Sequence, residues 1–342
     1  MSIADKIPEL FKRKKILVTG GLGSIGSEIV QQLLQYKPDL IRVMDNRETE
    51  LFYSRQTYQG NSSIDFYFGD VRDKERLNKA VDGIDIIFHA AAMKHVIVCE
   101  YDPGEAIKTN VIGTQNVIDC AFEHNVERMI QISTDKVVNP TNVMGATKLL
   151  AERLVSAMCN IKGNKRTKFG IVRFGNVLAS RGSVLEIWDK QLKSGQKITI
   201  TDPEMTRFFM SIPDSVKLVC TAAYYADNGE TFILKMPSVK IENLAKAFLA
   251  ARKSPENQYE VIGMKPGEKM HEGLLFTEES GFLMENEDMF VRLPLRFNYD
   301  EGRKKFEKLG FFKSECSSFS SKETRFLQKQ NLEKLLSSVD FC

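Results

Sequence analysis

The sequence has 342 residues, 42% hydrophobic and 27% charged, enough apolar material for a large core and against wholesale disorder. Its formal net charge of +3 comes with no long basic run, which argues against nucleic acid as a partner. Six cysteines (Cys99, Cys120, Cys159, Cys220, Cys316 and Cys342) show no C-x-x-C spacing, and four histidines (His89, His95, His124 and His271) show no ligand pattern, so the expectation is a reduced, cytoplasmic setting with no disulfide framework and no metal.

Residues 1–15 lack the apolar core of a secretory signal, and no apolar run approaches the roughly 18 residues of a membrane span, so no membrane association is expected. In chain order, 15–19 reads as a buried strand and 24–36 as a helix with apolar residues at helical spacing. Further strands are expected at 40–45, 64–70, 84–90, 129–133 and 169–174, with helical patterns between them, for example over 105–124. This alternation implies an α/β fold, a doubly wound parallel sheet of the Rossmann kind covered on both faces. Residues 1–180 read as a dinucleotide-binding domain. Past Ser180 the pattern mixes polar, Pro- and Gly-containing segments with short helices, which suggests a smaller substrate-binding domain over 181–285. Residues 231–237 are a candidate return strand to the main sheet. Residues 286–342 read as a charged tail, Ser-rich over 314–323, with a short amphipathic helix near 325–337.

Between the first strand and helix, "VTGGLGSIG" carries Gly20, Gly23 and Gly26, followed by Ser24 and Ile25 at the start of the helix. Such a turn lets backbone approach a pyrophosphate, and the helix N-terminus offers it free N–H groups. The second strand ends in Asp45, 19 residues after Gly26, where an acid hydrogen-bonds a ribose 2′-hydroxyl. NAD is therefore favoured. Arg47, beside Asn46, can accommodate a 2′-phosphate, which keeps NADP open. The alternative is that the glycines serve only a tight turn and Asp45 only ends a strand. Asp70 and Val71 follow the third strand, where an adenine would lie. Ala90, Ala91 and Ala92 follow the fourth, small enough for close backbone approach or for simple packing. Lys94 and His95 come next, on the ligand side of the sheet, although His95 reads equally well as a structural histidine.

The fifth strand ends in "STDK". Ser133 and Thr134 place hydroxyls at the cleft, and Asp135 and Lys136 add an acid and a base; the alternative is a solvated turn with an incidental ion pair. Met144 and Lys148 lie one helical turn apart, so both face the same way.

The chain resembles the extended short-chain dehydrogenase/reductase family, and within it the nucleotide-sugar 4,6-dehydratases that act on UDP-N-acetylglucosamine. Seven ordered blocks carry the likeness: "VTGGLGSIG", "HAAAMKHV", "KTNVIGTQNVI" (with Asn110), "STDKVVNPTNVMGATK", "RFGNVLASRGSV", "TITDPEMTRFFM" and "KPGEKMHE". The resemblance implies a redox-neutral cycle. Hydride passes from C4 of the sugar to the nicotinamide, Lys136 removes the C5 proton as a neutral amine favoured by burial, and Asp135 protonates the departing 6-hydroxyl. Hydride then returns to C6.

It also implies that Lys148 holds the nicotinamide ribose. Many relatives have Tyr where this chain has Met144, and a thioether cannot accept the 4-hydroxyl proton; Asp135, Thr134 or a water remain as acceptors. Substrate contacts are implied for Asn176, Arg181, Ser183, Thr206, Arg207, Lys265 and Glu268, besides Lys94 and His95. Lys265 stands where Arg is common, and Ile97 where Pro is common. The motif around Met144 resembles the branch that retains C5 configuration, and Met-containing relatives often carry membrane domains. The expected product is a 4-keto-6-deoxy sugar nucleotide for surface glycans, made by a homo-oligomer. A nucleotide-sugar 4-epimerase and a non-catalytic dinucleotide-binding regulator are the rival readings. The first needs no Asp135–Lys136 pair, and the second leaves Asp135, Lys136 and Lys148 unexplained.

Overall fold

The computed structural model describes residues 3–158, 166–294 and 299–337; Cys159 and Cys342 lie outside them. Helix α1 (Ile3–Phe11) precedes β1 (Lys15–Thr19), α2 (Ser24–Gln35), β2 (Leu40–Asp45), α3 (Glu48–Thr57) and β3 (Ile64–Phe68). Helix α4 (Lys74–Val81) leads to β4 (Ile86–His89), then to α5 (Val96–Tyr101), α6 (Pro103–Ala106), a π-helical segment (Ile107–Ile112) and α7 (Gly113–Glu123). Strand β5 (Arg128–Ile132), α8 (Val143–Ala157) and β6 (Lys168–Arg173) complete the first half. The second half runs through β7 (Asn176–Val177), α9 (Val184–Lys193), β8 (Ile198–Ile200), β9 (Thr206–Met210), α10 (Ile212–Tyr225) and β10 (Glu230–Leu234). It ends with β11 (Ser238–Lys240), α11 (Ile241–Ala251), β12 (Tyr259–Val261), β13 (Leu283–Glu285), β14 (Met289–Arg292), α12 (Tyr299–Lys308), β15 (Phe312–Lys313) and α13 (Lys329–Ser337).

Among the described residues the main sheet has 10 strands in the order β15-β13-β14-β10-β6-β5-β4-β1-β2-β3. From β3 across to β10 every pairing is parallel, and β14 turns the far edge antiparallel. The order reverses between β1 and β4, which opens a crevice at the carboxyl ends of those strands. Both faces are covered, so the strands are near-continuous apolar runs. One face packs Phe11, Ile29 and Val216 against the sheet, and the other packs Leu77, Val117 and Val155. Phe11 of α1, which sequence periodicity did not single out, stacks on Tyr36 at 5.7 Å between ring centres.

Three findings differ from sequence expectation. The helix expected over 105–124 is interrupted by the π-helical turn, whose wider register points Asn110 into the interior. The region past Ser180 contains small sheets as well as helices: β7, β9 and β11 form one, β8 and β12 another. A separate core around Trp188, Phe209 and Phe248 fills behind them and takes Leu332 and Leu336 of α13. The described residues after 286 are woven into the fold. Strand β14 pairs with β10, and the Ser-rich segment returns as a strap, with Leu274 donating to the Phe319 carbonyl at 2.9 Å and Ser321 to the Glu272 carbonyl at 2.9 Å. Among the described residues no helix is long and apolar enough to cross a membrane.

Candidate functional site

A cavity of about 960 Å³ lies at the β1/β4 reversal. Its first end is built by the glycine turn. Gly20 has φ +63°, and a Cβ there would lie 2.6 Å from the Ala91 Cα. A Cβ on Gly26 would run into the Gly20 carbonyl oxygen. Helix α2 starts without a side-chain cap or an acidic residue in its first turn, which leaves its N–H groups to an anion. Gly23, Ser24 and Ile25 line the cavity there, and Ala90, Ala91 and Ala92 line it opposite.

Asp45 is buried and accepts the Leu22 N–H at 3.0 Å, while Arg47 folds onto it through Nε at 2.9 Å and Nη2 at 3.0 Å. An acceptor and a cation therefore share this end of the cavity. Asn46 donates to Asp70 at 3.1 Å. Burial would raise the Asp70 carboxyl, but hydrogen bonds from Arg72 and Asn46 hold it below its usual range. Asn46, Asp70 and Val71 also line the wall. Asn110 does not. Its amide donates to the Met93 carbonyl and to Thr147, and its carbonyl accepts the Met93 N–H at 2.8 Å. It pins the loop after β4 rather than touching a ligand.

The chemical end follows β5. Ser133, Thr134, Lys136, Met144 and Lys148 line the cavity; Asp135, wholly buried, lies behind that wall. Thr134 donates to Asp135 Oδ1 at 2.9 Å, and the Lys136 ammonium reaches the same oxygen at 3.0 Å. Asp135 Oδ2 has no hydrogen-bond partner. Asn142 caps α8 by accepting the Gly145 N–H at 2.8 Å, and a Cβ on Gly145 would strike the Lys136 carbonyl oxygen.

The Lys136 amine differs from expectation. Burial does press its pKa down, but the Asp135 and Glu272 carboxylates outweigh burial and raise it. Lys148 behaves in the opposite way. It is buried, donates to the Ile132 carbonyl at 2.7 Å, and is pushed down to about 8 by burial, which Glu152 only partly offsets. Met144 is buried among Cys99 and Ala106. His89 is structural: its Nδ1 meets Thr19 at 2.8 Å and its Nε2 meets Thr114 at 3.0 Å, and burial pushes its pKa down to about 3.

At the third end, Lys94, His95, Asn176, Arg181 and Ser183 line the cavity. Lys94 donates to the Arg181 carbonyl, and burial lowers its pKa. Asn176 Oδ1 and Ser183 Oγ are buried without a partner, so the wall presents polar atoms for a ligand to satisfy. The other implied contacts are not brought here. Thr206 bonds Ser321 at 2.7 Å and His271 at 2.8 Å, and buried Arg207 donates to the Thr206 carbonyl at 2.7 Å. Both are spent within the protein because β9 is sandwiched between β7 and β11. Lys265 is exposed, and Glu268 accepts the Lys265 N–H at 3.0 Å to close its turn. Among the described residues no cluster of His, Cys, Asp and Glu could hold a metal.

The family model described as polysaccharide biosynthesis protein matches residues 16–293. The chain belongs to that family. Within this polysaccharide biosynthesis family, it is similar to an uncharacterized membrane protein of Methanocaldococcus jannaschii, 48% identical over 98% of each chain. It is 44% identical to a UDP-N-acetylglucosamine 4,6-dehydratase (inverting) of Campylobacter jejuni, covering 83% of this chain and 84% of the relative. A UDP-glucose 4-epimerase of Rickettsia bellii is 38% identical over 97% and 98%. The solved structure of Pen from Bacillus thuringiensis superposes with a TM-score of 0.86 at 39% identity, covering 95% and 98%. The chain is thus an extended short-chain dehydrogenase/reductase of the UDP-N-acetylglucosamine 4,6-dehydratase-like kind.

Sequence reasoning missed a charged network beneath the chemical end of this family member. Glu152 of α8 accepts Ser133 Oγ at 2.6 Å and is clasped by Arg173 at 3.1 and 2.7 Å. Arg173 also binds Glu279 at 2.9 Å, and Arg292 stands 3.3 Å from the same carboxylate. Burial works against Glu152, but Arg173 holds its carboxyl below the usual range. One signal was present: Glu152 lies one turn beyond Lys148 on the same helix.

Proposed function

We propose that this protein is a nucleotide-sugar 4,6-dehydratase acting on UDP-N-acetylglucosamine with a nicotinamide dinucleotide. The observation that supports it most is the division of labour after β5, with Thr134 and Lys136 on the cavity wall and Asp135 joined to both from behind. The glycine cradle, the uncapped α2 and Asp45 fit a dinucleotide, and Arg47 leaves its 2′-position open to either form. That group, when bound, takes and returns a hydride.

Gly20, Gly23 and α2 would seat the pyrophosphate, and Lys148 would face the nicotinamide ribose. Lys136 and Asp135 share one proton across 3.0 Å. Closing the cavity over a substrate removes water and favours the neutral form of such a pair. With the proton on Asp135, Lys136 is a free amine that takes the C5 proton, and Asp135 is an acid whose proton passes through the Thr134 hydroxyl to the departing 6-hydroxyl. Lys136, its proton exchanging with solvent, then protonates C5, and the proton that left Asp135 with the water is replaced by the one released from the 4-hydroxyl, which restores the pair.

Met144 accepts no proton, and Asp135 reaches the cavity only through Thr134. We assign the 4-hydroxyl proton to Lys148, whose amine at about 8 is poised near neutrality. Lys148→Met is expected to lose formation of the 4-ketone. A variant that still forms it at the wild-type rate, with cofactor bound, would remove this assignment.

The deciding experiment is incubation with UDP-N-acetylglucosamine in D2O, followed by NMR and mass spectrometry. Loss of water, a new 6-methyl signal and deuterium at C5 are expected. Similarity to the epimerase supports a second reading, for which the sole product would be the C4 epimer with no water lost. The same spectra read the configuration at C5. The motif around Met144 argues for retention, similarity to the relative named as inverting argues for inversion, and an inverted product would correct the motif reading.

A further inference from the structure

Behind Lys136 lies a second carboxylate that no step above uses. Glu272 sits between β12 and β13, is 4% exposed, and keeps Oε2 without a hydrogen-bond partner. Arg207 Nε stands 3.8 Å from its Oε1, and Lys269 Nζ stands 3.8 Å from its Oε2. The same Lys269 amine donates to the Val138 carbonyl at 2.6 Å, and a Cβ on Gly273 would lie 3.3 Å from Val138. Glu272 is thereby packed against the turn that carries Lys136. The Ser-rich strap fixes its backbone, with Ser321 Oγ accepting the Glu272 N–H at 2.9 Å. A buried carboxylate held this way, with an oxygen unspent, is costly unless a cation compensates it.

We propose that Glu272 is a positioning residue of the elimination site, packed against the turn that carries Lys136 and held there by Arg207, Lys269 and the strap through Ser321. This rests on the dehydratase reading. Four charged groups face the Lys136 amine: Asp135 from its own turn, Glu272 and Lys269 from the segment before β13, and Arg207 from β9. The carboxylates favour its charged form, and the cations oppose them. Removing Glu272's charge therefore makes the amine release its proton at lower pH. Removing Lys269's charge does the reverse.

The test uses the full chain with its cofactor, in wild type, Glu272→Gln, Glu272→Asp and Lys269→Met. Two quantities are read: the acid limb of kcat/KM against pH, and the rate at which acetic anhydride labels Lys136, followed by peptide mass spectrometry. The label attacks only the neutral amine. Glu272→Gln should move the acid limb down by about one pH unit and raise labelling about tenfold at one fixed pH. Glu272→Asp should restore most of both. Lys269→Met should slow labelling. A folded Glu272→Gln protein with wild-type labelling overturns the proposal. If that variant does not fold, unchanged labelling in Lys269→Met overturns it instead. Should wild type release no water from UDP-N-acetylglucosamine, the dehydratase reading fails, and the labelling arm still decides the relation of Glu272 to Lys136.

Discussion

Lys136→Ala should lower elimination by about 10²–10⁴-fold, the usual contribution of a placed acid–base group. Cofactor binding should persist, because the dinucleotide end of the cavity is built by Gly20, α2 and Asp45, which make no contact with the Lys136 side chain. The deletion has two consequences at the chemical end. It removes the amine proposed to meet the C5 proton, and it leaves the buried Asp135 without the cation bonded to it, with Thr134 still donating to the same oxygen. Rapid-mix kinetics can separate the steps: the 4-ketone should still form and then accumulate. Near-normal release of water from the variant would take Lys136 out of the mechanism.

Arg173→Met should cost about 3–5 kcal/mol of stability, measured from urea unfolding midpoints. Arg173 is 1% exposed, and its loss strands the Glu152 carboxylate inside the protein and leaves Glu279 with Arg292 as its remaining cation. The Coulomb gain of the intact network is not the source of this figure; the unpaired charge is. The effect depends on pH. Glu152 titrates below its ordinary 4.5 in the folded chain, so its contribution is full above that value and is lost as pH falls through the folded one. In Arg173→Met the Glu152 carboxyl loses the cation that holds it down, so the variant's deficit should shrink as the solution is acidified. A loss under about 1 kcal/mol would show that the carboxylates find water or neutralise at little cost.

Much of the fold was legible because buried parallel strands are continuous apolar runs, and β1 to β6 stand out as such. Strands β7, β8, β9 and β11 were not legible, since two to five residues carry too little periodicity. At the site, residues close in sequence were found together: Gly20 with Gly26, Thr134 with Asp135 and Lys136, Met144 with Lys148. Arg207 misled because its charge suggested a ligand, whereas strand pairing on both sides of β9 had already buried it. Asn110 misled for a related reason, since only the π-helical turn shows that it faces the Met93 backbone. The Glu152–Arg173–Glu279–Arg292 network was invisible because its members are spread over 140 positions and meet only after the sheet is assembled. The sign of the Lys136 shift was missed for the same reason, as Glu272 lies 136 positions away.

The strap through Phe319, Ser320 and Ser321 gives the chain's order of manufacture a bearing on its chemistry. A ribosome delivers the glycine turn and the parallel strands first, and those can assemble as a unit while the rest is still being made. The Glu272 backbone gains its bonds to the strap only when the segment that carries Ser321 emerges and lies beside it. On the proposed function, a chain that stops before the strap would be a binder before it is a catalyst. A check on the assembled molecule is thereby built into the strap, because the backbone of Glu272 is seated only after Ser321 has been made.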